Sequence, residues 1–197
     1  MSRAGLAPDV VVSEAEDLAD EVGLASVTLS ALAERLGVRV PSLYKHVNGM
    51  DGLQREIRVR AKHELADVFA RAAVGRSGGD ALIAMAAAYR GWGARHPGRY
   101  AATVRAADPG DLADESAGAA AAQVVFDVLG GFGLTGADAI DATRAVRAAL
   151  HGFVSLEAER GFGMPADVTR SFERLVLGMV RALETWPSAP ARTSAGV

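Results

Sequence analysis

The sequence predicts an all-α protein: a small N-terminal unit of three helices, joined by a long fourth helix to a larger helical C-terminal unit. Three observations carry this. Alanine is abundant and β-branched runs are short, which favours helix over strand. No stretch alternates with period two for long, whereas apolar residues recur at helical spacing. Glycine and proline interrupt those apolar runs where helix ends are due.

The elements follow in order. Pro8 suits a first helical position, and Val11, Ala15, Leu18, Ala19 and Val22 form an apolar stripe that stops at Gly23. Thr28 can cap a second helix with Leu29, Leu32, Ala33 and Leu36 on one face, ended by Gly37. A third, short helix begins near Val40 and Pro41 and is broken at Asn48-Gly49. The fourth runs from about Met50 to Val74, and Gly75-Arg76-Ser77-Gly78-Gly79 reads as a linker. Asp80 can cap a fifth helix running to His96-Pro97, and a short one starts at Pro97. After a polar loop from Asp108 to Glu115, Ser116 opens a helix that closes at Gly130 to Gly133. Thr135 and Asp138 resemble a capping box for a helix reaching Arg160, and a last helix spans Ala166 to Trp186. This divides the chain into a domain at 1–49, a connecting helix at 50–74, a second domain at 75–186, and a tail at 187–197 expected to be disordered.

Composition narrows the function. Half of the residues are hydrophobic, enough for a sizeable core. The absence of cysteine excludes disulfides and thiolate metal sites. Apolar runs fall far short of the roughly 20 residues that a spanning helix needs, and the start does not read as a signal peptide, so no membrane partner and a cytoplasmic location are expected. Net charge is −3, but it is unevenly spread. Asp9 to Glu21 holds six acids and no base, whereas Arg35 to Lys62 holds seven bases against two acids. A local positive field of that kind governs encounter with a polyanion more than the total charge does.

The basic stretch contains TLSALAERLGVRVPSLYKHV. Gly37 suits the left-handed position of a tight turn between two helices, with Leu32, Ala33, Leu36, Val38 and Leu43 as the expected buried set. This is a helix-turn-helix, and its second helix enters the major groove by its N-terminal end. Pro41 offers an apolar edge to a thymine methyl, Ser42 a hydroxyl to phosphate or base, and Arg39 a bidentate fork to guanine. Tyr44 is long enough to reach a phosphate, and Lys45 and His46 supply a cation and a tautomeric donor or acceptor. The candidate DNA-binding residues are therefore Thr28, Arg39, Val40, Pro41, Ser42, Tyr44, Lys45 and His46.

The segment TLSALAERLGVRVPSLYKHVNGMDGL resembles the DNA-binding part of the TetR family of bacterial transcriptional regulators, through Thr28, Leu32, Ala33, Gly37, Val38, Ser42, Leu43, Tyr44, His46, Val47 and Leu53. The resemblance implies that Thr28, Ser42, Tyr44 and Lys45 touch DNA and that a homodimer binds a palindromic operator. The family usually carries lysine where this chain has Met50, and many members carry arginine at the position of Ser30. Arg55 and Lys62 are the candidates to compensate. AYRGWGARHPGRYAATVRA and ALHGFVSLEAERGFG are similar to the effector-binding and dimerising C-terminal domain called WHG, with Leu150-His151-Gly152 in place of Trp-His-Gly.

In the second half, Tyr89, Trp92, His96 and Tyr100 could line a pocket or pack as core. His151 could be a satisfied core histidine or a ligand contact, and Gly152 could mark close helix approach or room for a ligand. The candidate effector site is Tyr89, Trp92, His96, Tyr100, Phe126, His151 and Met164. Arg90, Arg95 and Arg99, the only charged residues between Ala81 and Tyr100, have a spacing that allows them to face solvent, so a small apolar or aromatic effector is expected. Ile140, Phe153, Val168, Phe172, Leu175, Val176, Met179 and Leu183 form the candidate dimer interface, a four-helix contact between two chains. No catalytic or nucleotide-binding motif and no metal-ligand spacing occurs, so neither an enzyme, a metal nor a cofactor is expected. The rival reading is a helical adaptor that has lost DNA affinity, supported by Met50 and the acidic first helix.

Overall fold

Nine α-helices and no strand make up residues 6–187, the part of the chain described by a computed structural model. The expected disordered tail lies, apart from Pro187, outside the described residues.

Helix α1 (Pro8–Val22) starts on Pro8, whose missing N–H costs nothing in a first turn. It buries Val11, Val12, Ala15, Leu18 and Ala19, whereas Val22, on the expected stripe, is exposed at the helix end. A single 3-10 turn (Leu24–Ser26) leads to α2 (Leu29–Arg35). The Thr28 Oγ1 accepts a hydrogen bond from the Ala31 backbone N–H at 3.1 Å, which caps α2. Gly37 adopts φ +64°, the left-handed turn its lack of a side chain permits. Helix α3 (Val40–Leu43) is short, and the chain continues from it as a turn through Val47. Leu32, Ala33 and Leu43 are buried, and Leu36 and Val38 pack half-buried against them.

Helix α4 (Gly49–Ala73) runs for about 37 Å at the usual rise. Its buried Leu53, Ile57, Ala61, Leu65 and Phe69 recur every four residues along its length, so it serves both halves of the molecule. Around it lie α5 (Gly78–Arg95), α6 (Pro97–Thr103), α7 (Leu112–Gly130), α8 (Gly136–Ala158) and α9 (Val168–Glu184). The α4–α7 contact is the most extensive; α6 packs on both α1 and α4, and α9 covers α5.

Several helix starts differ from expectation. Ser77, not Asp80, occupies the N-cap of α5, so Asp80 sits inside the first turn. Helix α7 begins four residues before Ser116, because the Asp111 carboxylate accepts from the Asp114 N–H and nucleates it earlier. Thr135 stands at the N-cap of α8 but makes no side-chain capping bond. Asp167 caps α9 by accepting from the Thr169 and Arg170 N–H groups.

The expected two-chain interface also needs correction. Phe172, Val176 and Leu183 are buried in the chain's own core, because α9 turns that face onto α5 and α8. Phe153, Val168, Leu175 and Met179 are half-buried and Ile140 is exposed, as is Leu177, which was not among the expected residues.

Candidate DNA-reading face and ligand cavity

The helix-turn-helix presents Arg39, Pro41, Tyr44 and Lys45 to solvent, with Tyr44 60% exposed. The short α3 does this because Leu43 anchors its inner side while its neighbours in sequence turn outward. Thr28 is also exposed; its oxygen accepts the capping bond, and its hydroxyl proton is left to donate. Three of the expected contacts are less exposed. Val40 packs against the core, so it supports the helix. Ser42 is half-buried. His46 is half-buried beside a shallow hollow formed with Pro8, Asp9, Val12, Asn48 and Arg60. Met50 packs half-buried on the core at the start of α4.

Most of the basic cluster is neutralised internally. Arg35 pairs with Glu14 and Glu21, and Arg60 with Glu16. Arg55 forms a two-pronged bond with Asp111, at 2.6 and 2.5 Å, and also meets Glu56. Arg58 and Lys62 both reach Asp114, each at 2.5 Å. Arg55 and Lys62 are therefore not free to replace the missing lysine. Of the seven bases only Arg39 and Lys45 make no ion pair among the described residues. The acids of α1 are the counter-ions of this fold: besides Glu14, Glu16 and Glu21, Asp17 and Asp20 hold Arg99. Burial raises the Glu16 carboxyl above its ordinary range, although Arg60 and Arg99 oppose the shift.

The second half encloses a cavity of about 320 Å³ between α4, α5, α7 and α8. Leu65, Phe69, Met85, Val125, Val146 and Leu150 give it apolar walls. Helix α7 leaves the space open because it contributes Gly118, Ala121 and Ala122 there, which are too small to fill it. Of the expected effector residues, Tyr89 and His151 line the cavity. Tyr100 stands behind them: it accepts from the Tyr89 hydroxyl at 3.2 Å and shares a hydrogen bond with His151 Nδ1 at 2.5 Å. Burial pushes the Tyr89 phenol far above its ordinary range, so it remains a donor at any working pH.

The other expected effector residues lie elsewhere. Trp92 is 1% exposed, a core residue whose indole N–H donates to Glu64 at 3.0 Å. His96 joins the α5–α6 corner to α1 through Asp20, at 3.0 Å. Phe126 is half-buried on α7 away from the cavity, and Met164 is 84% exposed in the loop after α8. Arg90 and Arg99 do not face solvent. Arg90 makes two bonds to Glu157 and lies 4.9 Å from the Phe172 ring centre, tying α5, α8 and α9 together. A Cβ on Gly152 would meet nothing within 4 Å, so no helix of this chain presses on it.

Sequence reasoning missed Lys62, Asp114, Thr103, Arg105 and Arg147, which also line the cavity. Asp114 is fully buried, and Arg58 and Lys62 are each 6% exposed. Burial alone would raise the Asp114 carboxyl, but hydrogen bonds and charge from Lys62 and Arg58 hold it below the ordinary carboxylate range. Arg147 is exposed, donates to the Thr103 and Val104 carbonyls at the end of α6, and makes no ion pair among the described residues.

Helix α6 joins the two regions. Its Tyr100 bonds to the cavity wall, whereas the backbone of Gly98 abuts α1 and the Arg99 N–H donates to Asp20 at 2.9 Å. Among the described residues no helix is long and apolar enough to cross a membrane, and no cluster of three His, Cys, Asp or Glu could hold a metal.

Residues 11–57 match the family model described as bacterial regulatory proteins, tetR family, and residues 82–179 match a tetracyclin repressor-like C-terminal domain. The chain is 37% identical over 182 residues to Rv0681, an HTH-type transcriptional regulator of Mycobacterium tuberculosis, covering 92% of this chain and 83% of that protein. It is 34% identical over 174 residues to YobS, an HTH-type transcriptional regulator of Bacillus subtilis, covering 86% and 88%. These names are those of regulators, not enzymes. A variant of TetR from Acinetobacter baumannii in complex with minocycline superposes with a TM-score of 0.67 at 26% identity, covering 93% of this chain and 99% of that one.

Proposed function

The chain belongs to the TetR family of DNA-binding transcriptional regulators, and we propose that it is a cytoplasmic repressor, bound as a homodimer to a palindromic operator and released by a small molecule with an apolar or aromatic body. Residues 1–49 form the reading head in this proposal, 50–74 the joint, and 75–186 the effector-binding and dimerising part.

The observation that carries the ligand response is the position of α6. Within seven residues it holds Tyr100, bonded to the cavity-lining Tyr89 and His151, and Gly98, pressed against α1. A ligand that shifts Tyr89 or His151 moves α6, and α6 carries α1 with it. Coupling of this kind is usually about 1–3 kcal/mol and acts reciprocally, so operator DNA weakens ligand binding by the same factor. Arg39, Pro41, Tyr44 and Lys45 read the groove, with Thr28 on the backbone. The half-buried or exposed Ile140, Phe153, Val168, Leu175, Met179 and Leu177 support a dimer built from α8 and α9 of two chains.

The internal pairing of the α1 acids weakens the adaptor reading, since the acidic helix balances Arg35, Arg60 and Arg99 and does not mark a lost DNA surface. The test is selection of bound duplexes from random DNA, followed by titration with salt and with hydrophobic compounds. A palindromic site, a falling affinity with salt and release by a compound that stabilises the protein are expected. Failure to enrich any sequence would refute the proposal.

A further inference from the structure

We infer that the cavity takes a monoanion: an apolar or aromatic molecule with one carboxylate held by Lys62 and Arg147. This rests on reading the cavity as the effector site and names the chemistry of its ligand.

The charges at one end of the cavity do not balance. Arg58 and Lys62 share the single carboxylate of Asp114, and all three are buried. The next acid, Asp108, is exposed, pairs with Arg105 at 2.6 Å and comes only to 4.0 Å from Arg58. Glu115 also borders the cavity, but it is exposed and accepts from the Gly110 N–H at 3.0 Å. Among the described residues, Arg147 is held by backbone carbonyls alone. Among the charged residues that line the cavity, three cations, Lys62, Arg105 and Arg147, thus stand with two acids, Asp114 and Glu115, a surplus of one positive charge, with Lys62 and Asp114 buried and the other three exposed. A buried cation without full compensation is costly, so the site favours an anion that completes the set.

The cavity is also polarised along α4. Lys62, Leu65 and Phe69 all line it. Seven residues separate Lys62 from Phe69, a rise of about 10 Å. Phe69 and Tyr89 lie ring to ring at 5.9 Å at the far end. A ligand with an acid head and an apolar body of that length matches the charged and aromatic ends together. The three Lys62 ammonium protons include one given to Asp114, which leaves donors for a second carboxylate.

The experiment uses the full chain and two matched pairs of probes, 2-naphthoate with its primary amide and decanoate with its primary amide, by calorimetry at neutral pH. Each acid binds about tenfold or more tightly than its amide, the scale of one charge-assisted hydrogen bond. Lys62→Met leaves a neutral Arg58–Asp114 pair and removes the advantage of each acid over its amide. Arg147→Gln does not touch the buried triad and reduces the advantage in part; it decides the matter if Lys62→Met fails to fold. Amides that bind as well as the acids, or acids indifferent to both substitutions, overturn the anion inference and leave the cavity as the effector site. If neither acids nor amides bind, the inference falls together with the reading of the cavity on which it rests.

Discussion

Gly98 and Ala19 meet backbone to backbone: a Cβ on Gly98 would lie 2.2 Å from both the carbonyl carbon and the oxygen of Ala19. No side-chain movement can relieve such a clash, so Gly98→Ala pushes α6 away from α1. A cost of about 1–3 kcal/mol is expected from this overpacking. The variant should keep its helicity by circular dichroism and still bind its effector. What should be lost is the reciprocal effect of effector on operator affinity, measured by fluorescence anisotropy. Full retention of that coupling would show that the signal takes another route, such as α4.

Tyr44→Ala and Lys45→Ala should each weaken operator binding with little change in melting temperature, because both side chains are exposed. Loss of a phosphate contact at Lys45 is nearly independent of sequence and lowers the salt slope by about one per contact. Lys62→Met offers the control. Lys62 points into the protein, so its removal leaves the salt slope alone. An equal drop for both lysines would contradict the assignment of their faces.

Leu177→Arg should split the dimer without damaging the fold. Leu177 is 49% exposed in the single chain, whereas its neighbour Val176 is core. A charge set into an apolar contact between chains is expensive unless paired. Sedimentation should show a folded monomer, and operator affinity should collapse once the two reading heads are no longer held about 34–36 Å apart. A variant that remains dimeric puts the interface on another face.

Acid should loosen the second domain through two carboxylates. The Asp114 and Glu157 pKa values lie below their ordinary values of 3.8 and 4.5; burial opposes the shift at both, Lys62 and Arg58 outweigh it at Asp114, and the Arg90 hydrogen bond dominates at Glu157. A carboxyl with a lowered folded pKa contributes stability that is complete above the ordinary value and is lost as pH falls through the lowered one. Urea melts should therefore show little dependence on these groups near neutrality and a decline below about pH 4. Asp114→Asn strands two buried cations and should cost about 3–5 kcal/mol at neutral pH. A melt that declines in the same way in Asp114→Asn would assign the acid sensitivity to other groups.

The N-terminal unit was legible because its information is local. Thr28 caps three residues ahead, Gly37 makes its own turn, and Leu32 and Leu43 sit on faces set by helical spacing. The fate of the basic cluster was not legible, since its partners are remote: Arg35 reaches Glu14 across 21 positions, and Arg58 reaches Asp114 across 56. Trp92 was misread because a buried indole and a pocket wall share the same helical spacing. The cavity did leave a trace. A helix whose inward positions include Gly118, Ala121 and Ala122 cannot fill the space between its neighbours. Which cations surround that space depends on how α4, α6 and α8 meet, and periodicity does not encode it.

The internal pairing of the basic cluster also bears on how this regulator finds its site. Non-specific retention on DNA scales with the number of phosphates neutralised. With Arg35, Arg55, Arg58, Arg60 and Lys62 committed to acids of the same chain, Arg39 and Lys45 are the unpaired cations of the basic cluster among the described residues. On the proposed function, bulk chromosomal DNA is therefore expected to hold the protein only briefly, with a search by frequent detachment more than by long slides along the duplex.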